Sequence, residues 1–190
     1  MVDGGVVDAY DGLARPGWPP RMGRRDTIII RRLDVLKAHD YAQKHCCLRD
    51  YLIFRLPMKI GLRTAEIATL RIENIDFESR GFYVLDSKRK RLYPLPLDAV
   101  TLELLAELIG GRREGYVFQR IGKGKYVLAG KRLSNVEIWH VIKSIGEAAG
   151  VKGINPRLLR HYFAADWYYV RKGNVEVLRR IMRHKSIAYT

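Results

Sequence analysis

Apolar positions recur at helical spacing along most of this chain, and residues suited to starting and stopping helices stand between them. Leu33 to Cys47 and Asp50 to Ile60 predict two helices, the second very apolar through Tyr51, Leu52, Ile53, Phe54 and Leu56. Pro57 should kink that helix or mark its last turn. Gly61-Leu62-Arg63-Thr64-Ala65-Glu66 reads as a turn and then a short helix through Leu70, with Thr64 as N-cap. Gly81 to Asp86 and Arg91 to Leu97 predict two strands joined by Ser87-Lys88-Arg89-Lys90, a hairpin with a cationic tip. Asp98 caps a helix to Ile109, stopped by Gly110 and Gly111. A basic loop follows from Arg120 to Tyr126, and Ser134 with Glu137 forms a capping box for a helix to about Ala149. Asn155 caps and Pro156 opens a helix to Lys172 with Leu158, Leu159, Tyr162 and Phe163 on one face, Gly173 closes it, and Asn174 caps a last short helix. Tyr162, Tyr168 and Tyr169 read as packing residues of that long helix. The class is α+β, mainly helical, with one small antiparallel sheet.

The ends are less regular. Residues 1–25, rich in Gly, Pro and Arg, read as a flexible arm or interdomain linker whose Trp18 could dock elsewhere, and residues 26–190 as one globular domain. Ile28, Ile29 and Ile30 suit a short strand or a staple before the first helix.

Charge narrows the function. The 190 residues carry 35 Lys and Arg against 20 Asp and Glu, a net charge of +15 spread along the chain. A polyanion is the expected partner, nucleic acid first and an anionic membrane surface second. No apolar run approaches a membrane span, and no signal-peptide core opens the chain, so no membrane insertion is expected. The only cysteines, Cys46 and Cys47, are adjacent and poor partners for each other, which points to a reducing, cytoplasmic setting. His39, His45, Cys46 and Cys47 do not make a convincing zinc site, having no partner pair elsewhere. The Arg120–Tyr126 loop lacks the Lys-Ser/Thr ending of a P-loop, so Lys123 and Lys125 suit phosphate contact rather than nucleotide binding.

Arg157 and Arg160 lie three apart near a helix start, where backbone N–H groups and the helix dipole favour an anion. A guanidinium grips phosphate through two parallel hydrogen bonds. Four elements then fall in order: Gly61-Leu62-Arg63 with Glu66, the hairpin lysine, Leu159-Arg160-His161 with Phe163-Ala164, and Arg183-His184-Lys185-Ser186-Ile187. Over about residues 26–190 the chain resembles the catalytic domain of the tyrosine recombinases, the archaeal- or phage-type integrases.

The resemblance implies roles at matching positions. Arg63 and Arg160 correspond to the two arginines that hold the scissile phosphate. Lys88 corresponds to the lysine that protonates the leaving 5′ oxygen, with Lys90 as substitute in another turn register. His184 corresponds to the residue that bonds a non-bridging oxygen, while His161 and Glu66 correspond to supporting residues. Arg157 stands where the family usually has His, and it cannot act as a base near neutral pH. The nucleophilic tyrosine is expected about nine residues after His184, just beyond Thr190; Tyr189 is the less favoured alternative. Arg89, Lys90, Arg91, Lys123 and Lys125 are expected to meet DNA phosphates. Implied with these roles are duplex DNA as partner, a tetrameric synapse on DNA with a monomer possible when free, and a 3′-phosphotyrosyl intermediate formed without metal, ATP or cofactor. Two other readings share the residues: a non-catalytic DNA-binding module and a type IB topoisomerase-like nicking and closing enzyme. An RNA-binding protein is a more distant alternative.

Overall fold

The computed structural model describes residues 32–86, 91–122 and 127–183. The arm, Ile28 to Ile30, the tip Ser87–Lys90, residues 123–126 and everything from His184 on lie outside these residues, and so does the position of Trp18. Helices α1 (Arg32–His45), α2 (Leu48–Lys59) and α3 (Thr64–Ala68) come first. After a short 3₁₀ turn come β1 (Ile75–Asp76), β2 (Gly81–Asp86) and β3 (Arg91–Pro96), then α4 (Ala99–Ile109). Next are β4 (Gln119–Ile121), β5 (Val127–Arg132), α5 (Asn135–Ala148), α6 (Pro156–Ala165) and α7 (Val175–Met182).

α2 is the axis of the domain. It packs against α1, α4, α5 and α6, and Leu52, Ile53, Phe54 and Leu56 are wholly buried. A helix apolar all round is stable only when surrounded. Pro57 lies inside the helix near its end. The buried charge on α2 is Arg55, and it is satisfied: Nε donates to Thr101 Oγ1 at 2.9 Å, Nη2 to Asp98 at 2.8 Å and Nη1 to the Tyr51 hydroxyl at 3.2 Å. His39 Nε2 also faces Tyr51 and Arg55 at 3.3 and 3.5 Å.

The sheet order is β1-β2-β3, all antiparallel, with Phe82 opposite Leu95 and Val84 opposite Tyr93. Phe82, Val84 and Leu95 face the core, whereas Tyr83, Leu85 and Leu92 face out; successive strand residues alternate sides. Pro94 and Pro96 are tolerated because β3 is an edge strand.

Three expectations change. Arg120 and Ile121, at the start of the expected basic loop, lie in β4, which pairs with β5 in a second antiparallel sheet with a register shift between Gln119 and Arg120. Thr64 is the first residue of α3, and Arg63 is its N-cap, in extended conformation with its N–H given to Glu66 Oε2 at 2.8 Å; the helix start is held by this carboxylate reaching back to the N-cap N–H rather than by a threonine hydroxyl. The long helix after Asn155 stays α-helical only to Ala165, then widens to a π-helical turn over Asp166–Val170. The Arg171 N–H accordingly reaches back five residues to the Asp166 carbonyl at 3.0 Å. Tyr168 on that turn is exposed rather than packed, while Tyr162 lies against the core. The expected caps form at Asp98, Ser134, Asn155 and Asn174, each side chain accepting from a backbone N–H in the first turn.

Candidate phosphodiester-binding site

Gly61 turns the chain out of α2 with φ +71°, a conformation that favours glycine. A Cβ there would sit 2.6 Å from Phe163 Cδ1, so the turn presses against α6 and brings the Gly61 carbonyl to Arg160. Arg160 is buried on α6; Nη1 donates to Gly61 O and Nη2 to Met182 O. Arg63 Nη2 donates to the same Met182 carbonyl at 3.2 Å. Two guanidiniums from residues 97 apart therefore meet at the last carbonyl of α7.

A buried carboxylate braces this meeting point. Glu66 Oε1 accepts from Arg63 Nη1 at 2.8 Å and from Arg183 Nε at 2.9 Å, and Oε2 accepts from Arg183 Nη2 at 2.5 Å. The Arg183 side chain is 0% exposed and Glu66 4%, whereas Arg63 is 40% exposed. Arg183 has φ +53°, the left-handed conformation that ends α7, and its Nη1 returns to Ile181 O at 2.5 Å. Arg183 had no assigned role in the sequence. Its partner lies 117 positions away, and its adjacency to His184 was the only local sign.

Two guanidiniums thus bond one carboxylate, and a third, that of Arg160, lies within its field. Burial, then the charges of Arg63 and Arg183, pull the Arg160 pKa down to about 9, with Glu66 opposing. The guanidinium remains charged at neutral pH, and the surplus positive charge is what an incoming phosphate would neutralise.

Arg157 and His161 stand on the exposed side of α6, with Arg157 Nε 3.4 Å from His161 Nε2, at the long limit of a hydrogen bond. Partial burial, then Arg157 and Arg160, lower the His161 pKa. Arg63, Glu66 and Arg160 are therefore brought together, with Arg157 and His161 farther along the same helix. Lys88, Arg89, Lys90, Lys123, Lys125, His184 and Tyr189 lie outside the described residues. Arg91 opens β3, and its side chain also lies outside them. Among the described residues no group of three or more His, Cys, Asp or Glu gathers as metal ligands, and no helix is long and apolar enough to cross a membrane.

The described residues form a mainly helical domain with two small antiparallel sheets and a braced pair of arginines. Residues 31–190 match the phage integrase family, and the chain belongs to that family. Among curated relatives, the tyrosine recombinase XerA of Pyrococcus furiosus is 30% identical over 152 residues, covering 75% of this chain and 49% of its own length. XerA of Thermococcus onnurineus is 27% identical over 190 residues, covering 96% and 63%. The chain thus spans about half to somewhat under two thirds of these relatives. Among solved structures, the XerA recombinase superposes with a TM-score of 0.70 at 20% identity, over 90% of this chain and 60% of that one. XerH bound to its difH substrate superposes at 0.67 with 18% identity, over 84% and 48%. The fold is that of the tyrosine recombinase catalytic domain.

Proposed function

We propose that this chain is the catalytic domain of a site-specific DNA recombinase. The observation that carries the proposal is the convergence of Arg63 and Arg160 on the Met182 carbonyl, braced by Glu66 and Arg183. Phosphoryl transfer builds negative charge on the phosphate oxygens, and preorganised donors of this kind stabilise it. The likeness to XerH, a site-specific recombinase solved on its difH substrate, supports duplex DNA as partner.

The proposed step balances without cofactor. A tyrosine Oη gives up its proton to solvent, since Arg157 cannot accept it, and attacks phosphorus; the P–O5′ bond breaks, and a 3′-phosphotyrosyl bond forms. The leaving 5′ oxygen takes a proton from Lys88, or from Lys90 in another turn register, and His184 bonds a non-bridging oxygen. A 5′-OH from a partner strand then attacks phosphorus, regenerating the phosphodiester and the tyrosine. Bond energy is conserved, so no ATP is required, and Arg63 and Arg160 supply the charge stabilisation that a metal would otherwise give. The attacking tyrosine is placed beyond Thr190, with Tyr189 as the alternative. Arg157 and His161 flank the phosphate, and Arg89, Lys90, Arg91, Lys123 and Lys125 hold the backbone of the duplex. Affinity should then fall steeply with salt as counterions are released. A tetramer on paired sites, inside the cell, completes the reading.

A covalent trap tests it. Supercoiled DNA carrying the cognate site is incubated with the 190-residue chain and with a chain extended by its native downstream residues, then quenched with SDS. Adduct from the extended chain only is the expected result. Adduct from the short chain that Tyr189→Phe abolishes would move the nucleophile to Tyr189. Binding without adduct from either would overturn the enzyme reading. The exposed Arg157, where the family pattern has His, would then weigh for a non-catalytic DNA-binding module.

A further inference from the structure

A hollow of about 370 Å³ lies among α2, the start of α4, α6 with its π-helical turn, and α7. Phe163, Trp167 and Ile181 form its apolar wall, and Arg55, Lys59 and Arg171 bring cations to it. Two of those cations already have carboxylate partners: Arg55 pairs with Asp98 at 2.8 Å and Arg171 with Asp166 at 2.8 Å. Lys59 has no hydrogen bond or ion pair with the described residues. Burial, then the charges of Arg55 and Arg171, lower its pKa against the opposing charges of Asp166 and Asp98, which are already engaged by Arg171 and Arg55. A half-covered ammonium between two guanidiniums is a place for a carboxylate flanked by apolar groups.

The chain contains such a segment. Its first 14 residues hold three acids, Asp3, Asp8 and Asp11, and no Lys or Arg, in a sequence whose net charge is +15. Val6, Val7, Tyr10 and Leu13 stand around the acids. The described fold starts beside the hollow, because the Arg32 Nε on the first turn of α1 is 3.7 Å from Asp166 Oδ1 while Arg171 holds Oδ2. About 19 residues separate Leu13 from Arg32. They reach at most ~60 Å when extended and roughly 25 Å as a coil, enough to place the acids at the hollow with an effective concentration of order millimolar.

We propose that the acidic segment around Asp8 and Asp11 docks in cis into this hollow, its carboxylates on Lys59 and its apolar side chains on Phe163, Trp167 and Ile181. The occupied hollow ties together α2, the π-helical turn and α7, whose Met182 carbonyl both arginines of the phosphate site grip. The arm is thereby a clamp on the position of α7. This inference stands on the hollow and the arm, independently of the recombination reading.

The test is carbodiimide crosslinking of the full 190-residue chain, which joins carboxylates to lysines in contact, followed by peptide mapping. The expected product is an intramolecular Asp8–Lys59 or Asp11–Lys59 link in the monomer band. Asp8→Lys with Asp11→Lys removes the reacting carboxylates, so its readout is exchange: it should speed amide exchange over residues 163–171. Adding Lys59→Glu to that pair should restore slow exchange, since the charges are exchanged. These substitutions in the arm lie outside the described fold, and Lys59 is outside the phosphate site. Links scattered over other lysines, links found only in a dimer band, or exchange over 163–171 indifferent to the arm's charge would each overturn the proposal.

Discussion

Two buried arginines, Arg55 and Arg160, sit in contrasting surroundings. Arg55 has a carboxylate partner in Asp98 and two hydroxyl acceptors, Thr101 and Tyr51, so its charge and its donors are matched within the fold. Arg160 has two backbone carbonyls and shares one carboxylate's field with Arg63 and Arg183. The first arrangement is complete and holds α2 to the start of α4. The second is left with excess positive charge, the condition that favours binding an anion. Burial alone does not separate the two; the balance of charge around each does.

The strongest way to break this comparison is to remove each arginine. In the extended chain, Arg160→Ala should lower covalent adduct formation by about 10²–10³-fold, the scale for losing one preorganised donor. Its stability should move by less than about 1.5 kcal/mol, because relief of like-charge repulsion offsets the lost hydrogen bonds. Arg55→Met should do the opposite, leaving Asp98 without its guanidinium and lowering unfolding stability by about 2–4 kcal/mol in denaturant melts, with adduct chemistry per folded molecule unchanged. Equal destabilisation by the two substitutions would sink the distinction.

Glu66→Gln sharpens it next. Arg183 would be left buried without its carboxylate, a change worth about 3–5 kcal/mol of stability. Glu66→Gln combined with Arg183→Met should recover much of that loss. A double-mutant cycle with no coupling energy would show that Glu66 braces the cluster in some other way.

The smallest effect concerns pH. Burial, then Lys59 and Arg55, hold the His39 pKa down to about 4 from an ordinary 6.5, against the opposing charge of Asp40. Between these values the unfolded chain binds a proton that the folded chain refuses, so stability falls as pH drops from 6.5 towards 4. His39→Gln should flatten that part of the melting-temperature profile while leaving the neutral plateau nearly in place. An unchanged acid slope would assign it to another group.

Much of the architecture was legible because its causes are local. Asp98, Ser134, Asn155 and Asn174 announce helix starts by accepting from N–H groups two or three residues on, and Phe82, Val84 and Leu95 mark one face of a hairpin by alternation. The second sheet was not legible. β4 has only three residues, β5 contains Gly130, and their pairing carries a register shift. The π-helical turn after Ala165 likewise follows an ordinary helical pattern, and nothing in Asp166 to Val170 separates it from further α-helix.

The candidate site divides the same way. By itself the sequence determined which residue types stand near helix starts and turns, the large positive charge, and the ordered set of motifs that led to the integrase family. Only the tertiary structure decided that Arg63 and Arg160 meet at Met182 O, and that Arg183 rather than a nearer cation completes the grip on Glu66. The reason is physical: capping and alternation are settled within a few residues, whereas a charge cluster forms only when packing around α2 brings α3, α6 and the end of α7 to one place.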